Sequence, residues 1–179
     1  MKLGSSTKIP FTKSPTYLFG LSGEKEIGEL LKKHGAYIIP KYEYNESNDN
    51  KGPGMHGISD ELILPDLDVC KNRTRVWVEV KTKTECTLHD KTGDFLHGFK
   101  KRHYDDYLRV EATSGNEVWV VFIERTTGRI LCGRLVEIPI HHIYRGDLMD
   151  KGGTVFFDIK YLDPLSTLIE RLCGVKDDR

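Results

Sequence analysis

Apolar positions along the chain recur with two spacings, and each spacing predicts a type of secondary structure. A helical spacing behind an acidic first turn predicts a helix that starts near Ser22, a plausible N-cap, and stops at Gly35. Residues 36–44 have the composition of a strand. Residues 45–57 combine polar residues with glycine and proline, which predicts a mobile loop.

Two alternating segments in the middle of the chain predict a β-hairpin. Residues 66–71 and residues 75–82 each alternate between apolar and polar side chains, and the polar residues 72–74 separate them. If the turn is centred on Arg73, residues whose numbers sum to about 145 lie opposite each other on the two strands. This register determines which polar side chains meet on one face.

The second half of the chain predicts further strands and helices. A long loop is predicted over residues 83–99, and a helix over residues 99–111 follows it. The predicted strands are a nearly continuous apolar strand (118–123), a second strand (129–136) and an edge strand (156–159). Asp163-Pro164 is predicted to cap a last helix that ends at Cys173-Gly174. The whole order of elements predicts an α/β fold with a central mixed β-sheet flanked by helices.

Length and composition favour one domain. The chain has 179 residues, of which 38% are hydrophobic and 30% charged, as expected for a compact, soluble domain. Residues 1–20 read as a flexible N-terminal arm, which leaves 21–179 as the domain. No apolar run approaches the ~20 residues of a membrane span, and a signal-peptide core is missing, so a cytoplasmic protein without a membrane partner is expected. The four cysteines are widely spaced, which favours reduced thiols over a zinc site.

Charge is balanced overall but segregated along the chain. The 27 basic residues equal the 27 acidic ones in number, which argues against nonspecific coating of nucleic acid. Residues 40–70 are mainly acidic and could gather cations, whereas residues 71–109 have a basic excess and could face phosphate. Ordinary solvated surface is the alternative explanation for both segments.

The hairpin concentrates the side chains that could carry out chemistry. Its register places Asp66 directly across from Glu79, and Lys81 projects to the same face because strand side chains alternate. Two like charges in this position are destabilising, and a divalent cation held by both carboxylates would offset the repulsion. Lys81 could orient or help to deprotonate water, or stabilise the charge that develops on an attacked phosphate. The set suits phosphodiester hydrolysis.

The residues Pro65-Asp66 and Glu79-Val80-Lys81 resemble the motif of the PD-(D/E)XK nuclease superfamily, whose restriction-endonuclease-like fold includes type II restriction enzymes and Holliday-junction resolvases. The resemblance covers roughly residues 22–136 and includes the order of elements. It implies that Asp66 and Glu79 bind the metal together with the backbone carbonyl of Val80, and that Lys81 is catalytic.

Other acidic residues are candidates for the same site. The family has an acidic residue on the preceding helix, and Glu24 looks like its counterpart, with Glu26 as the competing choice. Glu24 could instead only complement the helix dipole. Asp68 shares the predicted face of Asp66 and could be a second or substitute ligand, while Asp60 is a weaker alternative.

The helix after the hairpin mixes cations with aromatic residues, as a nucleic-acid-contacting surface does. Lys100, Lys101, Arg102 and Tyr104 are the candidate contacts. Packing against the sheet is the favoured alternative for the tyrosines, with Lys100 or Arg102 left to meet the substrate. His56 and the pair His141-His142 stand outside any ligand pattern and are left out of the site.

The sequence therefore predicts a Mg²⁺-dependent deoxyribonuclease, with Mn²⁺ as a substitute metal and duplex or branched DNA as substrate. Because two strands must be cut, the protein could act as a homodimer. Two alternatives remain open: a noncatalytic nucleic-acid-binding or assembly module with the same fold, and an unrelated α/β enzyme acting on small phosphorylated substrates. Whether the nuclease would be an endonuclease or an exonuclease is also open.

Overall fold

A computed structural model describes residues 11–39, 54–57, 61–145 and 152–174 of the protein. The helices are α1 (Pro15–Lys33), α2 (Lys101–Ser114) and α3 (Ser166–Cys173). The strands are β1 (Tyr37–Ile39), β2 (Gly54–His56), β3 (Glu61–Ile63), β4 (Leu67–Lys71), β5 (Thr74–Lys83), β6 (Thr87–Leu88), β7 (Phe95–Lys100), β8 (Val118–Glu124), β9 (Ile130–Arg134), β10 (Ile140–Tyr144), β11 (Thr154–Asp158) and β12 (Asp163–Pro164). None of the helices in these ranges combines the length and apolar character needed to cross a bilayer.

A six-stranded mixed sheet forms the centre of the fold. Its strand order is β1-β4-β5-β8-β9-β12. β5 and β8 are parallel, and the other neighbouring pairs are antiparallel. A second, antiparallel sheet has the order β10-β11-β7-β6, and β2 pairs with β3. The predicted fold class, a central mixed sheet flanked by helices, is confirmed.

The central sheet separates two hydrophobic clusters. One cluster joins α1 and α3 to Val76, Val78 and Val80 of β5. The other joins α2 and the second sheet to Trp77 of β5 and to β8. Because side chains alternate along a strand, Glu79 projects to the same side as Trp77, towards α2. The alternation of β5 thus directs its charged side chains away from α1 and α3.

The first helix begins earlier than predicted. Ser14 is its N-cap, with a side-chain oxygen that accepts a hydrogen bond from the main-chain N–H of Tyr17 at 3.2 Å, and Pro15 opens the first turn. Ser22, predicted as the N-cap, lies inside the helix and donates to the carbonyl of Phe19 at 2.8 Å. Residues 15–20, predicted as part of the arm, are therefore helical. Ser14 followed by Pro15 is therefore a stronger signal for the start of a helix than Ser22.

The central hairpin has the predicted register. Leu67 pairs with Val78 and Lys71 with Thr74, so paired numbers sum to the expected value. Asn72 and Arg73 have φ values of 47° and 66°, the left-handed conformation that a two-residue hairpin turn requires at both central positions. Their local turn geometry holds the two strands in this register.

The predicted loop over residues 83–99 is wrong, since β6 and most of β7 form there. Gly98 belongs to this segment and lies within β7. A Cβ at Gly98 would be 2.7 Å from Cδ1 of Phe156 and 2.8 Å from the carbonyl oxygen of Val155. The neighbouring strand therefore needs a glycine here. The loop predicted over 45–57 is also wrong at its end, where β2 forms, and residues 40–53 lie outside the described part.

The last third of the chain departs most from prediction. β10 was not predicted, and it pairs with β11, which also pairs with β7, so β11 is an internal strand rather than an edge. Asp163 and Pro164 pair with β9 instead of capping the last helix. That helix ends before Gly174, as predicted. β8 and β9 confirm their predicted strands, and every residue of β8 is buried.

Candidate active site

The predicted catalytic side chains meet at the start of β4, beside the middle of β5. Asp66 directly precedes β4, and its main-chain N–H donates to Oε2 of Glu79 at 3.3 Å. In return, Oδ2 of Asp66 accepts a hydrogen bond from the main-chain N–H of Val80 at 2.9 Å. The structure therefore brings the two carboxylates together as the hairpin register predicts, while their roles stay predictions.

Lys81 supplies the positive charge at this position. Its Nζ forms an ion pair with Oε1 of Glu79, and the exposed fractions of the two side chains are 23% and 1%. Burial alone would lower the pKa of Lys81, but attraction to Glu79 and Asp66 outweighs it and leaves the pKa raised. A lysine that keeps its proton suits stabilisation of negative charge better than acceptance of a proton.

Helix α2 contributes two polar groups that were not assigned to the site from the sequence. Burial, followed by the charges of Glu79 and Asp66, raises the pKa of the Tyr107 hydroxyl well above its ordinary value. Nδ1 of His103 lies 3.4 Å from the same hydroxyl. Burial, with the nearby cations led by Lys81, lowers the pKa of His103 to about 4, so the ring is neutral at pH 7.

A sequence signal for this pair did exist. His103 and Tyr107 are four residues apart, so they share one face of α2. Both residues can place a polar group at the end of an apolar ring. This spacing identifies a shared face, but it does not show that the face is turned towards Glu79.

The donor atoms fit a hard divalent cation. Two carboxylates and the predicted backbone carbonyl of Val80 are the oxygen ligands that Mg²⁺ accepts, with water completing its shell. Oε1 of Glu79 is buried and faces the ammonium group of Lys81. Within the described ranges no three His, Cys, Asp or Glu side chains are grouped to hold a metal. The all-oxygen donor set of two carboxylates and a carbonyl suits Mg²⁺ or Mn²⁺, whereas zinc sites favour cysteine sulfur and histidine nitrogen.

Comparison with solved structures identifies the fold. The structure of Hjc, a Holliday junction resolvase from the archaeal hyperthermophile Archaeoglobus fulgidus, superposes with a TM-score of 0.55 at 13% sequence identity, covering 84% of this chain and 99% of that one. The chain has the restriction-endonuclease-like fold. D212, a nuclease from a fusselovirus, matches with a TM-score of 0.49 at 15% identity, covering 87% and 92% of the two chains. No protein-family model and no curated protein sequence matches the chain.

Two of the alternative acidic residues in this restriction-endonuclease-like fold have other partners. Both carboxylate oxygens of Asp68 are bound by Arg75, at 2.9 Å from Nε and 2.5 Å from Nη2. Glu26 pairs with Nη1 of Arg125 at 2.5 Å. These ion pairs favour Asp66 over Asp68 as a metal ligand. Asp60 lies outside the described residues.

Glu24 follows Gly23, at which the backbone of α1 comes close to β5. A Cβ on Gly23 would be 2.0 Å from Oγ1 of Thr82 and 3.0 Å from Cδ1 of Ile123. Thr82 is the neighbour of Lys81 on β5, but its side chain points to the α1 side of the sheet, opposite to the side chains of Glu79 and Lys81. Glu24 itself is half-buried, and its metal or catalytic role stays a prediction.

Substitution of Gly23 by alanine is expected to lower the free energy of unfolding by about 1–3 kcal/mol, because α1 or Thr82 must shift to make room. Gly28 is a matched control in the same helix, since a Cβ there has no atom within 4 Å. Gly28→Ala should raise stability by about 0.5–1 kcal/mol. Chemical denaturation measures both variants, and equal shifts would contradict the close approach at Gly23.

The candidate nucleic-acid contacts lie where β7 meets α2. Lys100 ends β7 and is exposed, and Arg102 is exposed on the first turn of α2. Lys101 pairs with Asp105 at 2.5 Å. The ring of Tyr104 packs in the core beside Phe99 and Phe157, which accounts for this residue without DNA. Of the four candidate contacts, Lys100 and Arg102 are thus the exposed cations, and their role in binding phosphate stays a prediction.

The remaining histidines lie on other elements. His56 is exposed at the end of β2. His141 and His142 belong to β10 of the second sheet, where both rings pack near His89 with centroid distances of 5.1 Å and 4.8 Å. Nε2 of His141 is 3.0 Å from Oδ2 of Asp94. His141 and His142 therefore have partners within the second sheet, and their exclusion from the site stays a prediction.

Proposed function

We propose that the protein is a metal-dependent nuclease that hydrolyses phosphodiester bonds of DNA. One observation carries the proposal: Asp66, Glu79 and Lys81 meet at a single point of the β4–β5 hairpin, with both carboxylates hydrogen-bonded across it. Like charges held this close are destabilising without a function that uses them. The fold shared with a Holliday junction resolvase supports the same activity.

The residues divide the chemistry between binding the cation and stabilising charge. Asp66, Glu79 and the backbone carbonyl of Val80 would hold the metal. Bound Mg²⁺ would supply Lewis-acid activation of water and neutralise the phosphate, and Mn²⁺ could replace it. Lys81, whose pKa is raised, opposes the negative charge that develops on the phosphate during attack.

DNA contacts follow from the exposed cations of α2 and β7. Lys100 and Arg102 would bind backbone phosphates, which fix orientation without reading sequence. Because the A. fulgidus protein is a Holliday junction resolvase, branched DNA is the first substrate to test, with linear duplex beside it. A homodimer would allow two strands to be cut, and the mass of the protein in solution tests this part of the proposal.

Purified protein incubated with branched, duplex and single-stranded DNA should cleave at least one form in Mg²⁺ or Mn²⁺ and none in EDTA. Binding that weakens steeply with salt, without cleavage in either metal, would contradict the nuclease and support a noncatalytic binding module. If the protein binds none of the DNA forms, both the nuclease and the noncatalytic DNA-binding module are refuted. Hydrolysis of small phosphate esters without DNA binding would favour a small-molecule enzyme.

A further inference from the structure

We propose that Lys83, two residues after Lys81 on β5, binds the DNA phosphate next to the one that is cleaved. This inference rests on the proposed function, because it takes Lys81 to face the scissile phosphate. It adds a substrate contact on the central sheet, separate from the candidate contacts Lys100 and Arg102 where β7 meets α2.

Lys83 lies on the same side of the central sheet as the proposed catalytic residues. Trp77 packs in the hydrophobic cluster on the α2 side of the sheet. Side chains alternate along β5, so Lys81 and Lys83 point to that side, as Glu79 does. Two residues of strand separate the Cα atoms of Lys81 and Lys83 by about 6.6 Å. Neighbouring phosphates along one DNA strand have a similar separation, so each ammonium group can face one of them.

The acidic residue beside Lys83 in the sheet is Glu124, its partner on the parallel strand β8. This carboxylate is fully buried and only accepts hydrogen bonds. Its Oε1 accepts from Nε2 of His97 at 2.8 Å and from Nη2 of Arg129 at 3.0 Å. Its Oε2 accepts from Nε of Arg129 at 2.9 Å and from Oγ1 of Thr127 at 2.6 Å. Four donors therefore satisfy Glu124 without Lys83.

Lys83 is left without an anion of the protein. Its side chain is half-buried, and within the described ranges its ammonium group forms neither an ion pair nor a hydrogen bond. Burial, followed by the positive charge of Lys81, lowers the pKa of Lys83. Both effects make a protonated lysine less favourable here than on an open surface. A phosphate bound at this position would supply the negative charge that the folded chain does not.

The start of α2 lies towards the same end of β5. Nε1 of Trp77 donates to Oγ of Ser114 at 3.2 Å, so the end of α2 is fixed beside Trp77. The next strand, β8, begins opposite Trp77 and runs parallel to β5, so α2 runs in the reverse direction. Its 14 residues span about 21 Å, and β5 from Trp77 to Lys83 spans about 20 Å. Lys100 and Arg102 therefore lie towards the level of Lys83, and the three cations can follow one DNA backbone.

DNA binding in EDTA tests the contact without cleavage. The probes are a labelled four-way junction and a labelled linear duplex, followed by fluorescence anisotropy over a range of salt concentrations. Lys83→Met should weaken binding about tenfold and reduce the slope of log affinity against log salt by about one, as expected for loss of one phosphate contact. Lys83→Arg keeps the charge and should keep the slope. Lys32→Met is the control, because it removes the same charge from α1, on the other side of the sheet.

Cleavage by the same variants separates phosphate binding from catalysis. At saturating protein, Lys83→Met should cleave within about threefold of the wild-type rate, because the contact forms before attack and persists through it. A neutral methylphosphonate next to the mapped cleavage site should weaken wild-type binding about as much as Lys83→Met does. It should add little in the Lys83→Met variant, because both changes remove one contact. Urea denaturation should show unchanged stability, since no ion pair is lost.

The outcomes separate this contact from the proposed function. If the wild type binds and cleaves DNA while Lys83→Met keeps its affinity and salt slope, the Lys83 contact is refuted and the nuclease stands. An equal loss in Lys32→Met would show that total charge is responsible, which also overturns the contact. A methylphosphonate that weakens Lys83→Met as much as the wild type would overturn the assigned phosphate. If the wild type does not cleave DNA, the proposed function fails, and the assignment of Lys83 fails with it.

Discussion

Asp66→Asn is expected to reduce DNA cleavage at least a thousandfold while the protein remains folded. Asparagine keeps an oxygen that can accept the hydrogen bond from the N–H of Val80, so the start of β4 stays in place. It removes one of the two negative charges proposed to hold the metal, and loss of several kcal/mol of charge stabilisation gives a rate change of about this size. Single-turnover cleavage of labelled DNA at saturating Mg²⁺ measures the effect, and circular dichroism checks the fold.

Asp163→Asn is the matched control for this experiment. Asp163 is exposed on β12, which forms one edge of the central sheet. The strands of the proposed site, β4 and β5, lie towards the other edge, which β1 forms. The same change of charge there should leave cleavage close to that of the wild type. Substantial metal-dependent cleavage by Asp66→Asn, or an equal loss in Asp163→Asn, would remove the basis for the proposed site.

Lys81→Met should lower both stability and activity. Glu79 is almost fully buried, so removal of its ion-pair partner leaves an uncompensated charge in the interior. Breaking a buried pair in this way costs about 3 kcal/mol of unfolding free energy. Cleavage should fall about 10²–10³-fold, the usual effect of removing one group that stabilises charge in a transition state. Urea denaturation and single-turnover cleavage provide the two measurements.

A double variant separates these two effects. Glu79→Gln in the Lys81→Met background removes the unpaired charge, so stability should recover while cleavage stays lost. Lys32→Met is the control, because Lys32 forms an exposed pair with Glu29 at 2.9 Å. Exposed pairs contribute little, and the control should change stability by less than about 0.5 kcal/mol. A Lys81→Met protein as stable as the wild type would contradict the buried ion pair.

The hairpin shows how much of the site local sequence can predict. The turn at Asn72 and Arg73 and the alternation of both strands are local features, and together they determine the register. The register alone brings Asp66 opposite Glu79 and places Lys81 on the same face. This convergence, and the α/β class with a mixed central sheet, therefore follow from the order of residues along the chain.

Other features of the site depend on contacts between distant segments. Which face of α2 meets the hairpin decides that Tyr107 is buried near the charges of Glu79 and Asp66, and no local pattern specifies that docking. The capture of Asp68 by Arg75 depends on side-chain conformations that alternation leaves open. Gly98 lies in the segment predicted as a loop and Gly23 near the predicted start of the first helix, yet at each of them another element leaves no room for a Cβ.

Local sequence is thus enough to specify the register of the hairpin, the meeting of two carboxylates with a lysine, and the class of the fold, because each follows from turn chemistry and from periods of a few residues. Contacts in three dimensions were needed to establish that Oε2 of Glu79 accepts from the N–H of Asp66, how α1 approaches β5, and that a second sheet forms from β6, β7, β10 and β11. These outcomes depend on packing between segments far apart in the chain, and packing selects among conformations that local preferences allow equally.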